Sequence, residues 1–358
     1  MSSARKTWSR PADLLRAGIV RQEQVPGIAA VTRRYALALT ADIAELIDPD
    51  DPDDPIARQF VPEPAELEVR PEEMADPIGD GTHSPVAGIV HRYPDRVLLK
   101  PIHVCAAYCR FCFRREMVGH KRTLSQSELQ GAIGYIRAHP EIWEVILTGG
   151  DPLVLSARRL QHLMAALAAI EHVKVIRVHT RVPIVDPAQV TPSLVRALKR
   201  PGRATYMVLH VNHPRELSSK ARAACSRLID AGIPMLSQTV LLRNVNDDAA
   251  VLEELMRRLV ENRVKPYYLH HCDLAPGTAH WRTGIDEGQA LMRSLRGRLS
   301  GLCQPTYVLD IPGGYGKSPI GPNYLARVSS EGEACRYEVE DFNGRQHSYP
   351  PAAPALRR

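Results

Sequence analysis

The sequence predicts an α/β fold: a partial barrel of six βα units, (βα)6, with an N-terminal helical extension and a short C-terminal segment. From about Val97, short β-branched or apolar runs alternate with amphipathic stretches, which is typical of a parallel sheet whose strands are joined by helices. Helix-start signals fall between these runs. In such a barrel the loops after the carboxyl ends of the strands carry the chemistry.

Residues 1–84 are expected to form the N-terminal helical extension. Helical patterns continue to about residue 48, as in the stretch from Val31 to Ile47. They stop at 48–55, where the run DPDDPDDP contains three prolines and five aspartates. Proline has no amide hydrogen and clashes with the preceding helical turn, so this run predicts a solvated turn.

Residues 85–305 are expected to form the barrel. Six runs rich in β-branched and apolar residues are predicted to be its strands. They are Val97–Val104, Val145–Thr148, Val173–His179, Thr205–Val211, Met235–Leu242 and Pro266–His271.

Helices are predicted between these strands because capping residues precede periodic apolar stretches. Ser125 stands three residues before Glu128, which is the spacing of a capping box. A proline directly follows Thr191, as is common in the first turn of a helix. The predicted helix boundaries are Ser125, Ser156, Thr191, Ser218 and Gly232.

Residues 306–358 are expected to form the C-terminal segment. Structural signals weaken after about Tyr324, and a tail rich in proline and alanine begins near Tyr349. We expect that tail to be disordered.

Composition favours a soluble globular protein. The 358 residues are 44% hydrophobic, with a net charge of +6. The sequence has no lysine- and arginine-rich block and no cluster of aromatic residues, so nucleic acid is not an expected partner. The start lacks the apolar core of a signal peptide, and no apolar run approaches about 18 residues. We therefore expect a cytoplasmic protein without a membrane partner.

The most informative motif is the run of three cysteines at Cys105, Cys109 and Cys112. Three thiolates are one short of the four that close a 4Fe–4S or a zinc site, so an iron of such a cluster would stay open to a small molecule. Three ordinary buried cysteines are the alternative. Only seven cysteines occur in the chain, which makes this spacing improbable by chance.

With Phe111 before the last cysteine, the run resembles the C-x3-C-x-aromatic-C signature of radical S-adenosylmethionine enzymes. The resemblance implies a 4Fe–4S cluster whose open iron binds S-adenosylmethionine. It also implies an external electron donor of the flavodoxin or ferredoxin type. The expected six-unit barrel is then a radical-SAM barrel.

Gly149, Gly150 and Asp151 directly follow the second predicted strand. Adjacent glycines let the backbone approach a ligand, and a carboxylate can accept hydrogen bonds from an amino group. By itself this segment is more often a turn at a strand end. Beside the cysteine loop it resembles the segment that holds the S-adenosylmethionine amino group in radical enzymes.

A second glycine-rich segment, 312–318 (PGGYGKS), contains Lys317. It is not a P-loop, because Ile311 stands where the first glycine of that motif is required and prolines follow at once. A lysine on a flexible loop could form a Schiff base with an aldehyde cofactor. The alternative is a solvated lysine on a surface turn.

From about Arg92 to Tyr324 the chain resembles the lysine 2,3-aminomutase family, radical enzymes that also use pyridoxal phosphate. The segment VLDIPGGYGKSPIGPNY resembles the family's pyridoxal-lysine segment, which implies that Lys317 bonds to this cofactor. The run RYPDR resembles the family's phosphate-binding run, which implies that Arg92, Tyr93 and Arg96 take the cofactor's phosphate.

The same resemblance implies the substrate and S-adenosylmethionine contacts. Arg114 matches the arginine that pairs with the substrate carboxylate. Asp273 and Asp310 match the two carboxylates that hold the substrate's side-chain ammonium. His210 and Gln238 match residues near S-adenosylmethionine.

The implied function is that of an isomerase, an L-lysine 2,3-aminomutase that interconverts L-lysine and β-lysine by radical 1,2-amino migration. One alternative is a lysine aminomutase that acts in β-lysylation of elongation factor P. Another is an aminomutase for arginine or glutamate, although two aspartates would repel a side-chain carboxylate. A non-catalytic iron–sulfur or pyridoxal-binding protein is an alternative from a different class.

The chain departs from well-studied members of the family at three places. It has no C-terminal C-x-C-x2-C run, and Asp248 stands where those relatives have a further zinc-binding cysteine. We therefore expect no structural zinc, and a homo-oligomer stays open. His270 stands where the mutases commonly have tyrosine.

Overall fold

A computed structural model describes residues 7–119, 123–328 and 336–351. None of the helices in these ranges is long and apolar enough to cross a membrane. The α-helices in these ranges are α1 Pro11–Arg16, α2 Val25–Thr32, α3 Ala41–Ala44, α4 Ala57–Phe60, α5 Gln126–Ala138, α6 Ala157–Ala168, α7 Val182–Val185, α8 Pro192–Leu198, α9 Ser219–Asp230, α10 Ala249–Glu261 and α11 Ile285–Leu295.

The β-strands of the described residues belong to one large mixed sheet, a two-stranded pair and a three-stranded C-terminal sheet. They are β1 Thr7–Trp8, β2 Leu39–Thr40, β3 Ile89–Tyr93, β4 Arg96–Ile102, β5 Glu144–Gly149, β6 Val175–Thr180, β7 Ala204–His210, β8 Met235–Val240, β9 Val264–His270, β10 Thr306–Ile311, β11 Gly316–Pro319, β12 Leu325–Val328, β13 Arg336–Glu340 and β14 Gln346–Tyr349.

The large sheet contains β3 to β11 in chain order, and it curves into a nearly closed barrel. Strands β4 to β10 run parallel, whereas β3 and β11 are antiparallel to their neighbours and form the two edges. Helices connect the parallel strands on the outside, and their apolar faces are buried there; Leu160 and Leu167 of α6 are fully buried. The α/β partial barrel predicted from the sequence is thus confirmed.

The six predicted strands are confirmed as β4 to β9, within a few residues at each end. The predicted helix boundaries are also confirmed. Ser125 Oγ accepts a hydrogen bond from the Glu128 amide at 3.2 Å, and the Glu128 carboxylate accepts one from the Ser125 amide at 2.7 Å. The Ser156, Thr191 and Ser218 side chains likewise cap their helices.

The helical pattern from Val31 to Ile47 does not form one continuous helix. Helix α2 ends at Thr32, the chain then extends into β2, and only the short helix α3 follows. The carbonyl of Ala38 accepts a hydrogen bond at 3.0 Å from the backbone amide of Tyr108, in the cysteine loop. Because this carbonyl serves a tertiary contact, it is not available to an intrahelical hydrogen bond, and packing overrides the helical pattern.

The C-terminal segment is more ordered than the sequence predicts. Lys317 does not lie on a flexible loop but on β11, where it pairs directly opposite Asp310 of β10. The sheet of β12, β13 and β14 was not predicted, and Tyr349, where the disordered tail was expected to begin, is the last residue of β14. Residues 352–358 of that tail lie outside the described residues.

Candidate active site

The cysteine loop follows β4, and the three side chains of Cys105, Cys109 and Cys112 line one small cavity. Burial, together with the negative charge of Asp151, raises the pKa of Cys105 well above its usual value, and burial raises that of Cys112 to about 11. Thiolates are therefore disfavoured here unless a positive group accompanies them. An iron–sulfur cluster would supply that charge.

No three histidine, cysteine, aspartate or glutamate side chains converge on one metal-ion position within 7–119, 123–328 and 336–351. Three cysteines around one small cavity suit a cubane cluster, which binds each thiolate at a different iron. The residues present therefore fit the expected 4Fe–4S group.

A buried glutamate of the N-terminal extension holds the cysteine loop in place. Glu66 is fully buried and accepts hydrogen bonds from the Arg110 guanidinium at 2.6, 3.0 and 3.1 Å. Glu66 also pairs with Arg115, so Arg110 and Arg115, on either side of Cys112 in the chain, share this carboxylate. Sequence reasoning missed Glu66, because a lone glutamate in a short turn carries no motif.

Arg181, just after β6, contacts the loop from the barrel side. Its Nη1 donates a hydrogen bond to Cys109 Sγ at 2.8 Å. Its Nη2 donates to Gln59 Oε1 at 2.5 Å and to Glu216 Oε2 at 2.6 Å, and all three side chains are buried. A fixed positive charge therefore lies beside one of the expected cluster ligands.

Gly149 and Gly150 allow the end of β5 to approach the start of the cysteine loop. The backbone of Gly149 has φ +106°, a conformation that favours glycine. A Cβ on Gly150 would lie 2.4 Å from the Val104 carbonyl oxygen, which is too close for any side chain. The Gly150 amide donates to the Ile102 carbonyl at 2.7 Å.

Asp151 joins the ends of β5 and β6. Its carboxylate accepts hydrogen bonds from Thr180 Oγ1 at 2.7 Å, from the Arg181 amide at 2.7 Å and from the Leu153 amide at 3.0 Å. Burial raises the pKa of this carboxyl group. Both of its oxygens are already engaged by donors of this chain, which suits a residue that positions the glycine segment.

His210, the last residue of β7, and Gln238 of β8 are direct register partners. The His210 ring lies 5.7 Å from the ring of Phe111 in the cysteine loop, measured between centroids. Its Nε2 is buried and has no hydrogen-bond partner within the ranges described above. Burial lowers the pKa of His210 well below its usual value, so a neutral imidazole faces this end of the barrel. An orphaned polar atom of this kind fits a bound ligand.

Arg92 and Arg114, which were predicted to bind two different anions, share one carboxylate. Asp80 Oδ2 accepts hydrogen bonds from Arg114 Nε at 3.0 Å and Nη2 at 2.9 Å, and Lys100 Nζ lies at 3.4 Å. Arg92 Nη2 lies 3.4 Å from Asp80 Oδ1. Burial would raise the pKa of Asp80, but Arg114 and Lys100 hold it below the usual value.

This buried group has three cations around one carboxylate and hence an excess of positive charge. Such an excess is costly away from water unless anions compensate for it. A phosphate and a carboxylate are therefore suitable ligands for this place. Sequence reasoning missed Asp80 and Lys100; the run RYPDRVLLK pointed only to its arginines.

The two edge strands of the sheet meet at the predicted cofactor residues. Tyr93 Oη, on β3, accepts a hydrogen bond from the Lys317 amide of β11 at 2.7 Å. The Arg96 guanidinium lies over the Tyr93 ring, 3.8 Å from its centroid. Gly316 has φ +92°, and a Cβ there would lie 2.7 Å from Tyr93 Oη. The structure thus brings Tyr93, Arg96 and Lys317 together.

One of the two predicted substrate carboxylates, Asp310, contacts Lys317, and the other, Asp273, is half-buried. Lys317 Nζ is 2.6 Å from Asp310 Oδ1 and also contacts Oδ2, and His270 Nδ1 is 3.5 Å from that second oxygen. Burial alone would raise the pKa of Asp310, but His270 and Lys317 hold it far below the usual range. Burial, and then the charge of Asp310, raises the pKa of Asp273 to about 7.

Comparison with known families gives two matches. Residues 99–259 match the Radical SAM superfamily, and residues 292–353 match a family described as Lysine-2,3-aminomutase. Among solved structures, the chain resembles a radical SAM methyltransferase from Sphaerobacter thermophilus with a TM-score of 0.46 and 20% identity, covering 62% of this chain and 68% of that one.

Curated relatives are similar over most of the chain. An L-lysine 2,3-aminomutase of Clostridium subterminale is 42% identical, covering 87% of this chain and 74% of the relative. A glutamate 2,3-aminomutase of Clostridioides difficile is 38% identical, covering 85% and 72%. An L-lysine 2,3-aminomutase of Escherichia coli is 36% identical, covering 87% and 91%.

Proposed function

The chain belongs to the lysine 2,3-aminomutase family of the Radical SAM superfamily, and we propose that it interconverts L-lysine and β-lysine by radical 1,2-amino migration. It is therefore an isomerase that uses a 4Fe–4S cluster, S-adenosylmethionine and pyridoxal phosphate. The observation that carries the choice of lysine is the contact of buried Asp310 with Lys317, together with half-buried Asp273, whose carboxyl group responds to the charges of both.

When bound, these cofactors supply a radical that removes a substrate hydrogen and an aldehyde that holds the migrating amino group. The protein's own task is to hold and orient the reacting groups. Cys105, Cys109 and Cys112 would bind the cluster. Lys317 would anchor the aldehyde cofactor.

The phosphate of pyridoxal phosphate would bind at the edge strand β3. Arg92 belongs to the buried cation group around Asp80, and Arg96 stacks on Tyr93, which holds the Lys317 amide. Guanidinium groups suit a phosphate because they donate two parallel hydrogen bonds. The phosphate would thus be held within reach of the lysine that anchors the cofactor.

S-adenosylmethionine would bind between the cysteine loop and the ends of β7 and β8. The His210 ring lies against Phe111 of the cysteine loop, Gln238 is the register partner of His210, and Gly149 and Gly150 let the end of β5 pack closely against that loop. Asp151 would keep this segment in place and present its backbone to the amino group. A flavodoxin or ferredoxin type protein would supply the electron.

The substrate would be held at both ends. Arg114 would pair with its carboxylate, while Asp273 and Asp310 would hold its side-chain ammonium. A molecule fixed at two points cannot rotate freely, so the carbon between them is held close to the group that attacks it. Glutamate has a carboxylate at its far end and would be repelled by the two aspartates.

The test of this function is anaerobic reconstitution with iron, sulfide and pyridoxal phosphate, followed by amino-acid analysis. The protein is incubated with S-adenosylmethionine, a reductant, and lysine, arginine or glutamate in separate reactions. We expect β-lysine from lysine and the lowest turnover with glutamate. β-Glutamate as the main product would contradict the proposed substrate.

Removal of one carboxylate should weaken lysine binding strongly. Truncating one partner of a buried charge pair costs about 2–5 kcal/mol, or about 30- to several-thousand-fold in affinity. Asp273→Asn and Asp310→Asn are therefore each expected to raise the lysine KM by at least about 30-fold, and steady-state kinetics measures this. The double variant should show improved relative tolerance of amino acids with neutral side chains.

An exposed carboxylate gives the matched control, because exposed pairs contribute only about 0–1 kcal/mol. Asp230→Asn is suitable, since Asp230 pairs with Arg263 at the surface. Lysine kinetics close to those of the wild type in both single variants would show that these two aspartates do not hold the substrate's ammonium.

Lysine binding should also depend on pH through Asp273. Its pKa of about 7 means that the carboxyl group is largely neutral below neutral pH and attracts an ammonium only when it ionises. The lysine KM is therefore expected to fall by about tenfold from roughly pH 6 to pH 8. Asp273→Asn removes the ionisation, so its KM should be flat over this range; an unchanged slope in that variant would contradict the assignment.

A further inference from the structure

The Asp310 carboxylate has two assigned cationic partners, the Lys317 ammonium and the substrate's side-chain ammonium. It lies against Lys317 Nζ, 2.6 Å from Oδ1, and against His270 Nδ1, 3.5 Å from Oδ2, and only 6% of the residue is exposed. The proposed function assigns Lys317 to the aldehyde cofactor and Asp310 to the substrate's ammonium. Asp310 would be most open to the substrate's ammonium once the Lys317 ammonium has left it.

The charges of this pocket suggest how that exchange is driven. Buried Asp310 contacts the Lys317 ammonium, whereas half-buried Asp273 responds to the charges of Lys317 and of Arg114. When the Lys317 amine condenses with an aldehyde, its two N–H hydrogens leave with the aldehyde oxygen as water and a C=N bond forms, so the nitrogen keeps at most one hydrogen. Asp310 then loses the ammonium that donated to it, and a second ammonium becomes a better ligand.

We propose that Asp310 is a shared counter-ion, which holds Lys317 in the cofactor-free protein and accepts the substrate's side-chain ammonium once Lys317 is joined to the cofactor. His270 is the positioning residue that keeps Asp310 oriented during this exchange. Cofactor attachment and ammonium binding then favour each other, each increasing the affinity of the other by the same factor. This inference rests on the proposed function.

His270 suits that role because of its place in the sheet. It is the last residue of β9 and the register partner of Val308 on β10, the strand that carries Asp310. Its contact with Asp310 does not involve Lys317 and can therefore persist when Lys317 moves away. Without His270, the released carboxylate would be free to rotate, and the ammonium site would be less well formed.

The experiment uses 6-aminohexanoate as a probe of the ammonium site. This compound has the carboxylate and the terminal ammonium of lysine, but it has no α-amino group and cannot displace Lys317 from the cofactor. Cluster-reconstituted, full-length protein freed of pyridoxal phosphate is titrated with that cofactor, and its absorbance change is followed. We expect 6-aminohexanoate to increase cofactor affinity by about tenfold, and hexanoate, which has no ammonium, to leave it unchanged.

Two variants locate the effect. Asp310→Asn is expected to abolish the increase, and His270→Phe to reduce it by at least about threefold. His271→Phe is the matched control, since His271 bonds to Tyr307 Oη at 2.8 Å and not to Asp310. This variant should retain the full increase.

The outcomes separate this inference from the proposed function. If borohydride reduction shows cofactor joined to Lys317, but 6-aminohexanoate leaves cofactor affinity unchanged in the wild type, the shared counter-ion is overturned and the function is not. If 6-aminohexanoate still increases cofactor affinity by the full factor in both Asp310→Asn and His270→Phe, the shared counter-ion is likewise overturned. Cofactor joined to a different lysine would overturn the site assignment and this inference together.

Discussion

Cys109→Ala is expected to abolish both cluster assembly and catalysis. It removes one of three protein thiolates, the one that accepts a hydrogen bond from Arg181. Loss of outer-shell partners alone costs about 10–100-fold in metal sites, so loss of a ligand should cost more than about 100-fold in activity. The broad absorption at about 400 nm of a reconstituted cubane should fall with it.

Cys225→Ala is the matched control for this experiment. Cys225 is buried in α9, away from the cysteine loop, so its replacement tests whether loss of any buried thiol has the same effect. Iron content, visible absorption and 5′-deoxyadenosine formation should all stay near those of the wild type. Full activity in Cys109→Ala would contradict radical chemistry at this loop.

Lys317→Ala is expected to remove the covalent attachment of pyridoxal phosphate and with it the aminomutase activity, by more than about 100-fold. Arg92 and Arg96 would still attract the phosphate, so weak binding should persist. Borohydride reduction of the wild-type protein, followed by peptide mapping, should place a pyridoxyl group on Lys317. The same treatment of the variant should give no label.

Two other lysines serve as comparisons. Lys265 donates hydrogen bonds at 2.9 Å to the carbonyls of Leu302 and Gln304, so Lys265→Ala should leave the label and the activity intact. Lys100 is buried in the cation group around Asp80, and burial lowers the pKa of its ammonium. A pyridoxyl group on Lys100 in wild-type protein would refute the assignment of Lys317.

Most of the barrel could be predicted from local patterns. Buried parallel strands such as β5 and β6 are short apolar runs, and capping serines such as Ser125 mark helix starts whatever the rest of the chain does. The helical pattern of 31–47 is interrupted before α3, where extended backbone bonds to the cysteine loop. A contact between Ala38 and Tyr108 spans 70 residues and leaves no local pattern.

The same reason explains which site residues the sequence revealed. Cys105 and Lys317 belong to compact motifs, whereas Glu66 and Asp80 are single acids in turns of the N-terminal extension. Their roles come from cations more than ten residues away, Arg110 for Glu66 and Arg114 for Asp80. Which cation pairs with each of these acids is decided by the fold and leaves no local pattern in the sequence.

The hairpin of β10 and β11 has a consequence for anyone who would retarget this protein to a new amino acid. Because Asp310 stands directly opposite Lys317 in the strand register, any substitution at Asp310 also alters the surroundings of the residue proposed to anchor the cofactor. Asp273 follows a different strand, β9, and offers no hydrogen bond to Lys317 in the described residues. A library that varies Asp273 first, with Asp310 kept, would explore side-chain specificity while sparing the chemical machinery.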